Sequence, residues 1–170
     1  LPVRMSLLEK RLNYRNHRKM TVVDGKAGYI GGANIGDEYV GKNAKMGFWR
    51  DTSVRIEGEA VGDLQRAFLS DWYAVSGERI RDTGDLFPQP DTAGQDRVRV
   101  VSGGPGMNPS PVQLMFFSAF CSARERIYIT SPYLIPDEGL LLAICAAAYA
   151  GVDVRIIIPG VTHRKLTLWA

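Results

Sequence analysis

The period of apolar and polar positions changes several times along the chain, and each change marks an element. Arg11 to Arg15 and Lys19 to Val23 read as short extended segments. Asp24-Gly25 is a strong two-residue hairpin signal, and Lys26 to Ile30 reads as the return strand. Gly31-Gly32 interrupts regular structure, Asn34 to Tyr39 begins a loop or short helix, and Phe48 to Ile56 alternates partially as a strand. From Ala60 to Tyr73 the apolar residues Val61, Leu64, Ala67, Phe68 and Trp72 recur at three- and four-residue intervals, which predicts an amphipathic helix.

Gly77 to Arg97 breaks the pattern: it is charged, contains Gly and Pro, and has Phe87-Pro88-Gln89-Pro90 at its centre. A stretch longer than an ordinary loop predicts a boundary between structural units, here 1–90 and 91–170. Beyond it, Val98 to Val101 reads as a strand, Pro111 to Ala123 as a helix and Arg126 to Ser131 as a β-branched strand. Asp137 to Ala150 reads as a helix closed by Gly151, and Val152 to Ile158 as a buried strand ended by Pro159-Gly160. Strand, helix and strand with continuous apolar runs signal an α/β fold with parallel strands. No such unit precedes Lys10, so in an internally duplicated protein this chain would hold the back of one copy and the front of the next.

Composition narrows the class only slightly. With 170 residues, 45% hydrophobic and 23% charged, the chain can bury a real core and is neither disordered nor collagen-like. A net charge of +3 fits an anionic substrate or surface without selecting one. Cys121 and Cys145 lie in apolar stretches and read as reduced, buried thiols, without the neighbours of a zinc or redox site. No apolar run reaches the ~18 residues of a membrane span, and Gly139 to Ala150 reads instead as a buried helix. A start at Leu1 and an end at Leu168-Trp169-Ala170 read as the limits of a fragment.

The chemistry concentrates in one window. His17 and Lys19 are two apart on an extended segment, so they share a face while Arg18 points away. A neutral imidazole can attack a phosphodiester phosphorus and form a phosphohistidine. The Lys19 ammonium can bind the non-bridging oxygens, Gly32 permits close approach of the phosphate to backbone, and Asn34 supplies an amide donor. Positioning and charge stabilisation suffice for this class of transfer, so neither metal nor other cofactor is expected. Taken singly, each feature has an ordinary explanation: a solvated strand face, a turn, a glycine loop. Only their conjunction carries the functional reading.

The window from Asn16-His17-Arg18-Lys19 through Gly31-Gly32-Ala33-Asn34-Ile35-Gly36-Asp37-Glu38-Tyr39 resembles the first HKD motif of the phospholipase D superfamily, and within it the bacterial cardiolipin synthase family. Trp49-Arg50-Asp51-Thr52, Ile56-Glu57-Gly58, Ser102-Gly103-Gly104-Pro105, Ile129-Thr130-Ser131-Pro132-Tyr133 and Gly151-Val152-Asp153-Val154-Arg155 extend the resemblance over nearly the whole chain. It implies a phospholipase D-like, largely parallel mixed sheet flanked by helices, in two incomplete halves. Residues 1–90 would be the C-terminal part of the first half, with the HKD motif, and 91–170 the N-terminal part of the second. His17, Lys19 and Asp24 would form the catalytic motif, with Asp24 in a structural role that agrees with its turn. Lys19, Gly32 and Asn34 would bind phosphate, Gly32 standing where relatives often carry serine. Asp51 would orient the histidine, or else pair on the surface with Arg50 or Arg55, and Tyr133 and Pro136 would line substrate or simply form a loop.

His163-Arg164-Lys165 repeats the spelling, but Ala170 stands at the aspartate position and no Gly-Gly turn follows, so it is rejected as a second motif. The resemblance then implies a phosphatidyltransferase that makes cardiolipin from two phosphatidylglycerols, with a second HKD motif in a missing C-terminal half and negligible activity for the fragment alone. Phospholipase D-type hydrolysis, nuclease activity and an inactive truncated product are the alternatives. The partners implied are anionic phospholipid and a membrane surface rather than nucleic acid, at the bacterial cytoplasmic membrane.

Overall fold

The computed structural model describes residues 16–42, 48–82, 84–90, 94–104, 107, 109–132 and 134–158. The chain divides into two compact units, Leu1–Val100 and Val101–Ala170. The readings for Arg11 to Arg15, Tyr133, Pro159-Gly160 and His163 to Lys165 lie outside the described residues.

In the first unit, β1 (Lys19–Val23), β2 (Ala27–Gly31) and β3 (Ser53–Glu57) form an antiparallel sheet in the order β1-β2-β3. Lys19 pairs with Gly31 and Gly31 with Ser53, so one row crosses all three strands at one end of the sheet. At the other end Val23 pairs with Ala27, which leaves three residues in the hairpin connection rather than the two expected. Asp24 and Gly25 take φ of 52° and 65°, and the Lys26 N–H donates to the Val23 carbonyl at 3.0 Å. These are the left-handed dihedrals that an Asp-Gly turn tolerates. A Cβ on Gly25 would fall 2.5 Å from Pro88 Cδ, because the 84–90 segment docks on this turn. Phe87 in that segment lies under Arg66, 5.3 Å from the guanidinium to the ring centre.

Alternation gives this sheet two unlike faces. Met20 and Val22 of β1 and Ile56 of β3 point toward α1 (Ala60–Ser76), where Val61 and Leu64 are almost fully buried. Gly28, opposite both Val22 and Ile56, makes room for this contact, since a Cβ there would run into Leu64 Cδ1. Lys19, Thr21, Tyr29 and Arg55 stand on the face away from α1. The helix runs three residues past its predicted end and closes at Gly77, whose φ of 72° puts it in the left-handed region.

In the second unit, β4 (Arg126–Thr130) and β5 (Asp153–Ile157) pair in parallel through a crossover containing α3 (Glu138–Tyr149), and α2 (Pro111–Ser122) packs on α3. Asp137 caps α3, accepting from the Leu140 N–H at 3.0 Å, and Gly151 closes it with φ of 90°. The mixed α/β class thus combines an antiparallel meander in one unit with parallel pairing in the other.

Three local readings are corrected. Val98 to Val101 is not a strand: these residues join no ladder among the described residues, and Val100 instead packs on the first unit's core. The apolar run at β5 is not buried, because the helices cover one face of the β4–β5 ribbon and leave Ile157 65% exposed. Cys121 and Cys145 are free thiols, as read, but exposed. Both helices are apolar on nearly every side, so packing against one neighbour covers only part of each.

Candidate active site

The Lys19–Gly31–Ser53 row determines which loose ends meet. His17 lies two residues before β1 begins, Gly32 directly after β2 ends, and Asp51 two residues before β3 begins. Antiparallel pairing therefore delivers all three to the same end of the sheet. Asp24 sits at the opposite end, five residues from Lys19 along β1, or roughly 16 Å at about 3.3 Å per residue. Its left-handed φ of 52° ties it to the turn, so in this unit Asp24 shapes the hairpin and stands apart from His17.

His17 and Lys19 meet directly. Lys19 Nζ lies 2.9 Å from His17 Nδ1 and donates to the His17 carbonyl at 2.8 Å. An ammonium has donors only, so this contact needs a free lone pair on Nδ1 and places the neutral ring's proton on Nε2. The ammonium is thereby held at the edge of the imidazole, where an anion approaching His17 would meet it. Arg18 turns the other way, toward α1, and pairs with Asp71.

Gly32 and Asp51 form a second contact. A Cβ on Gly32 would lie 2.9 Å and 3.0 Å from the two Asp51 carboxylate oxygens. The absence of a side chain at Gly32 is thus what lets this carboxylate settle beside the turn. Asp51 Oδ1 also accepts from the Thr52 N–H at 2.7 Å. Among the described residues no ion pair joins Asp51 to Arg50 or Arg55, and Arg55 pairs with Glu57 instead. No hydrogen bond links Asp51 to His17 among the described residues either.

Asn34 donates through Nδ2 to the Tyr39 hydroxyl at 2.5 Å, and the Tyr39 ring meets Trp49 edge-on with centroids 4.9 Å apart. Tyr39 and Trp49 belong to the site's framework although the sequence reading gave them no role. Their signal was present: two aromatics bracketing a polar loop, each inside a stretch that carries the resemblance. Pro136 is half-buried in the connection from β4 to α3, within the second unit. Among the described residues no group of three or more His, Cys, Asp or Glu side chains is placed to hold a metal ion. No helix among them is long and apolar enough to cross a membrane.

Residues 116–168 match the family model described as cardiolipin synthase, PLD-like domain. The chain is 44% identical over 170 residues to a cardiolipin synthase of Geobacillus kaustophilus, covering 99% of this chain and 34% of the relative. It is 42% identical over 172 residues to cardiolipin synthase 2 of Bacillus cereus, covering 99% and 33%. Cardiolipin synthase 2 of Staphylococcus epidermidis is 42% identical over 170 residues, covering 99% and 35%. The chain therefore spans about a third of the length of the curated relatives it matches. No solved structure matches it.

Proposed function

We infer that this chain, phospholipase D superfamily sequence of the bacterial cardiolipin synthase type, carries the first catalytic motif of a phosphatidyltransferase. Residues 1–90 are then the end of one superfamily half and residues 91–170 the start of the next. The reading rests chiefly on one observation: the Lys19 ammonium sits 2.9 Å from His17 Nδ1 at the sheet end where the Gly31-Gly32 turn and Asp51 also converge.

Binding of a phosphatidylglycerol phosphodiester draws the Lys19 ammonium from Nδ1 onto a non-bridging oxygen. Asn34 and the Gly32 backbone donate to the same group, and Gly32 allows it to come close. With Nδ1 released, the ring proton moves there, held by a carboxylate that we assign to Asp51. That leaves the Nε2 lone pair free for attack. The Nε2–P bond forms as the bond from phosphorus to the glycerol oxygen breaks, and the departing oxygen takes a proton from a general acid. In the second stage the glycerol hydroxyl of another phosphatidylglycerol gives its proton to that same group and attacks phosphorus. The N–P bond breaks, His17 is regenerated, and cardiolipin and glycerol are the products. One phosphodiester replaces another, so no nucleotide enters.

The acid and base is the histidine of a second HKD motif, which we place in the complete protein outside this chain; the greater length of its relatives leaves room for it. The 170-residue chain by itself then turns over negligibly. The substrate is an anionic phospholipid and the workplace the bacterial cytoplasmic membrane.

The test compares the complete protein with its His17→Ala variant on phosphatidylglycerol vesicles, separating the lipids by thin-layer chromatography. Cardiolipin formed by the parent and lost in the variant supports the reading. Phosphatidic acid in place of cardiolipin would make the enzyme a hydrolase, and cleavage of DNA but not lipid a nuclease. Undiminished cardiolipin synthesis by His17→Ala would overturn the role of His17.

A further inference from the structure

Asp71 occupies an unexpected place on α1. It lies seven residues, two helical turns, beyond the buried Leu64, so it falls on the stripe that faces the sheet. An amphipathic helix ordinarily keeps a carboxylate off that stripe unless it has a partner. Here its oxygens take three hydrogen bonds. Arg18 Nη1 donates to Oδ1 at 2.5 Å and to Oδ2 at 2.7 Å, and Asn16 Nδ2 donates to Oδ2 at 2.7 Å. Asn16 in turn accepts through Oδ1 from the Arg18 N–H at 2.9 Å. The Arg18 and Asp71 side chains are only 29% and 24% exposed, so the pair is less solvent-screened than the helix-surface pair of Asp63 and Arg66.

The two donor nitrogens, which make all three bonds, belong to the two residues that flank His17. We propose that Asp71 is a positioning residue for His17. It clamps Asn16 and Arg18 from behind the sheet, so the backbone between them is held and the imidazole projects from the opposite face beside Lys19. The clamp acts on the backbone and touches neither substrate nor ring. It rests on the assignment of His17 as nucleophile, and it predicts a specific kinetic pattern. Loosening the segment misplaces the attacking nitrogen without removing any phosphate donor, so kcat falls while KM holds. Misplacement of a reacting group by about 1 Å can cost on the order of a hundredfold in rate.

The experiment measures cardiolipin formation by the complete protein in phosphatidylglycerol vesicles for Asp71→Ala, Arg18→Gln, the charge swap Arg18→Asp with Asp71→Arg, and Asp63→Ala. Each is normalised to folded protein by circular dichroism. The expected result is a fall in kcat of roughly tenfold or more for both single variants of the pair, with KM within about twofold. The charge swap recovers part of the loss, and Asp63→Ala, which breaks the exposed pair on the same helix, leaves kcat unchanged. Should Asp71→Ala fail to fold, Arg18→Gln and the swap carry the test from the strand side. Near-parental kcat in Asp71→Ala or Arg18→Gln, while His17→Ala is inactive, overturns the clamp and leaves the nucleophile assignment standing. Retained activity in His17→Ala overturns the assignment beneath it.

Discussion

Single residues carry the functional argument, and their alternation along β1 does most of the sorting. His17 and Lys19 face one way while Arg18, Met20 and Val22 face α1, a division legible in the sequence once the segment is read as extended. What could not be read was which charges would meet. The sequence left Asp51 between an orienting role and a surface ion pair, whereas its carboxylate lies beside Gly32, a contact set by two strand ends more than fifteen residues apart in sequence. Asp71 escaped for a related reason. Its place on the buried stripe is visible from spacing, but its partners come from the segment leading into β1, over fifty residues away. Gly28 offers a stability test at this scale. Adding a methyl group there forces Leu64, 1% exposed, out of its seat. Gly28→Ala is therefore expected to cost about 1–3 kcal/mol, an overpacking penalty, measured as a lower urea midpoint. An unchanged midpoint would mean that α1 does not rest on the sheet at this point.

At the scale of elements, helices were read well because their signals are local. Pro111, the Asp137 cap and the glycines at 77 and 151 set ends that sequence spacing had approximated. Strands fared unevenly, since a strand exists only when paired. Val98 to Val101 has the right residues and no ladder among the described residues, whereas β4 and β5 pair through a crossover that the strand–helix–strand pattern had implied. On the open face of that ribbon the Tyr128 hydroxyl donates to Asp153 Oδ2 at 2.7 Å, and Arg155 Nε donates to both carboxylate oxygens at 3.0 and 3.1 Å. The hydrogen bonds from Arg155 and then Tyr128 hold the Asp153 carboxyl below its usual range, and the bond to Asp153 pushes the Tyr128 phenol up.

The signs follow from linkage. What Asp153 contributes to folding is present above the unfolded aspartate value of about 3.9 and is lost as pH falls through the lower folded value. What Tyr128 contributes is present below the ordinary phenol value of about 10 and is lost as pH rises through the raised one. Tyrosinate absorbance, with Tyr128→Phe to isolate this ring, should show Tyr128 ionising above about 10 and returning toward that value in Asp153→Asn. Titration unaffected by Asp153→Asn would remove the hydrogen bond from the account.

The whole chain forms two compact units and spans about a third of the length of its relatives. The resemblance along the chain was legible because its motifs are short and closely spaced; the packing of the 84–90 segment on the Asp24-Gly25 turn was not, since loop docking leaves no periodic trace. The central claim is that His17 becomes covalently bonded to phosphorus. Rapid quenching of the complete protein during turnover of phosphatidylglycerol, under conditions that preserve phosphoramidates, followed by peptide mass spectrometry, addresses it directly. The account predicts a phosphatidyl adduct on the peptide containing His17, lost in His17→Ala. An actively synthesising enzyme whose only adduct lies on another residue, with the His17 peptide unmodified throughout, would contradict it.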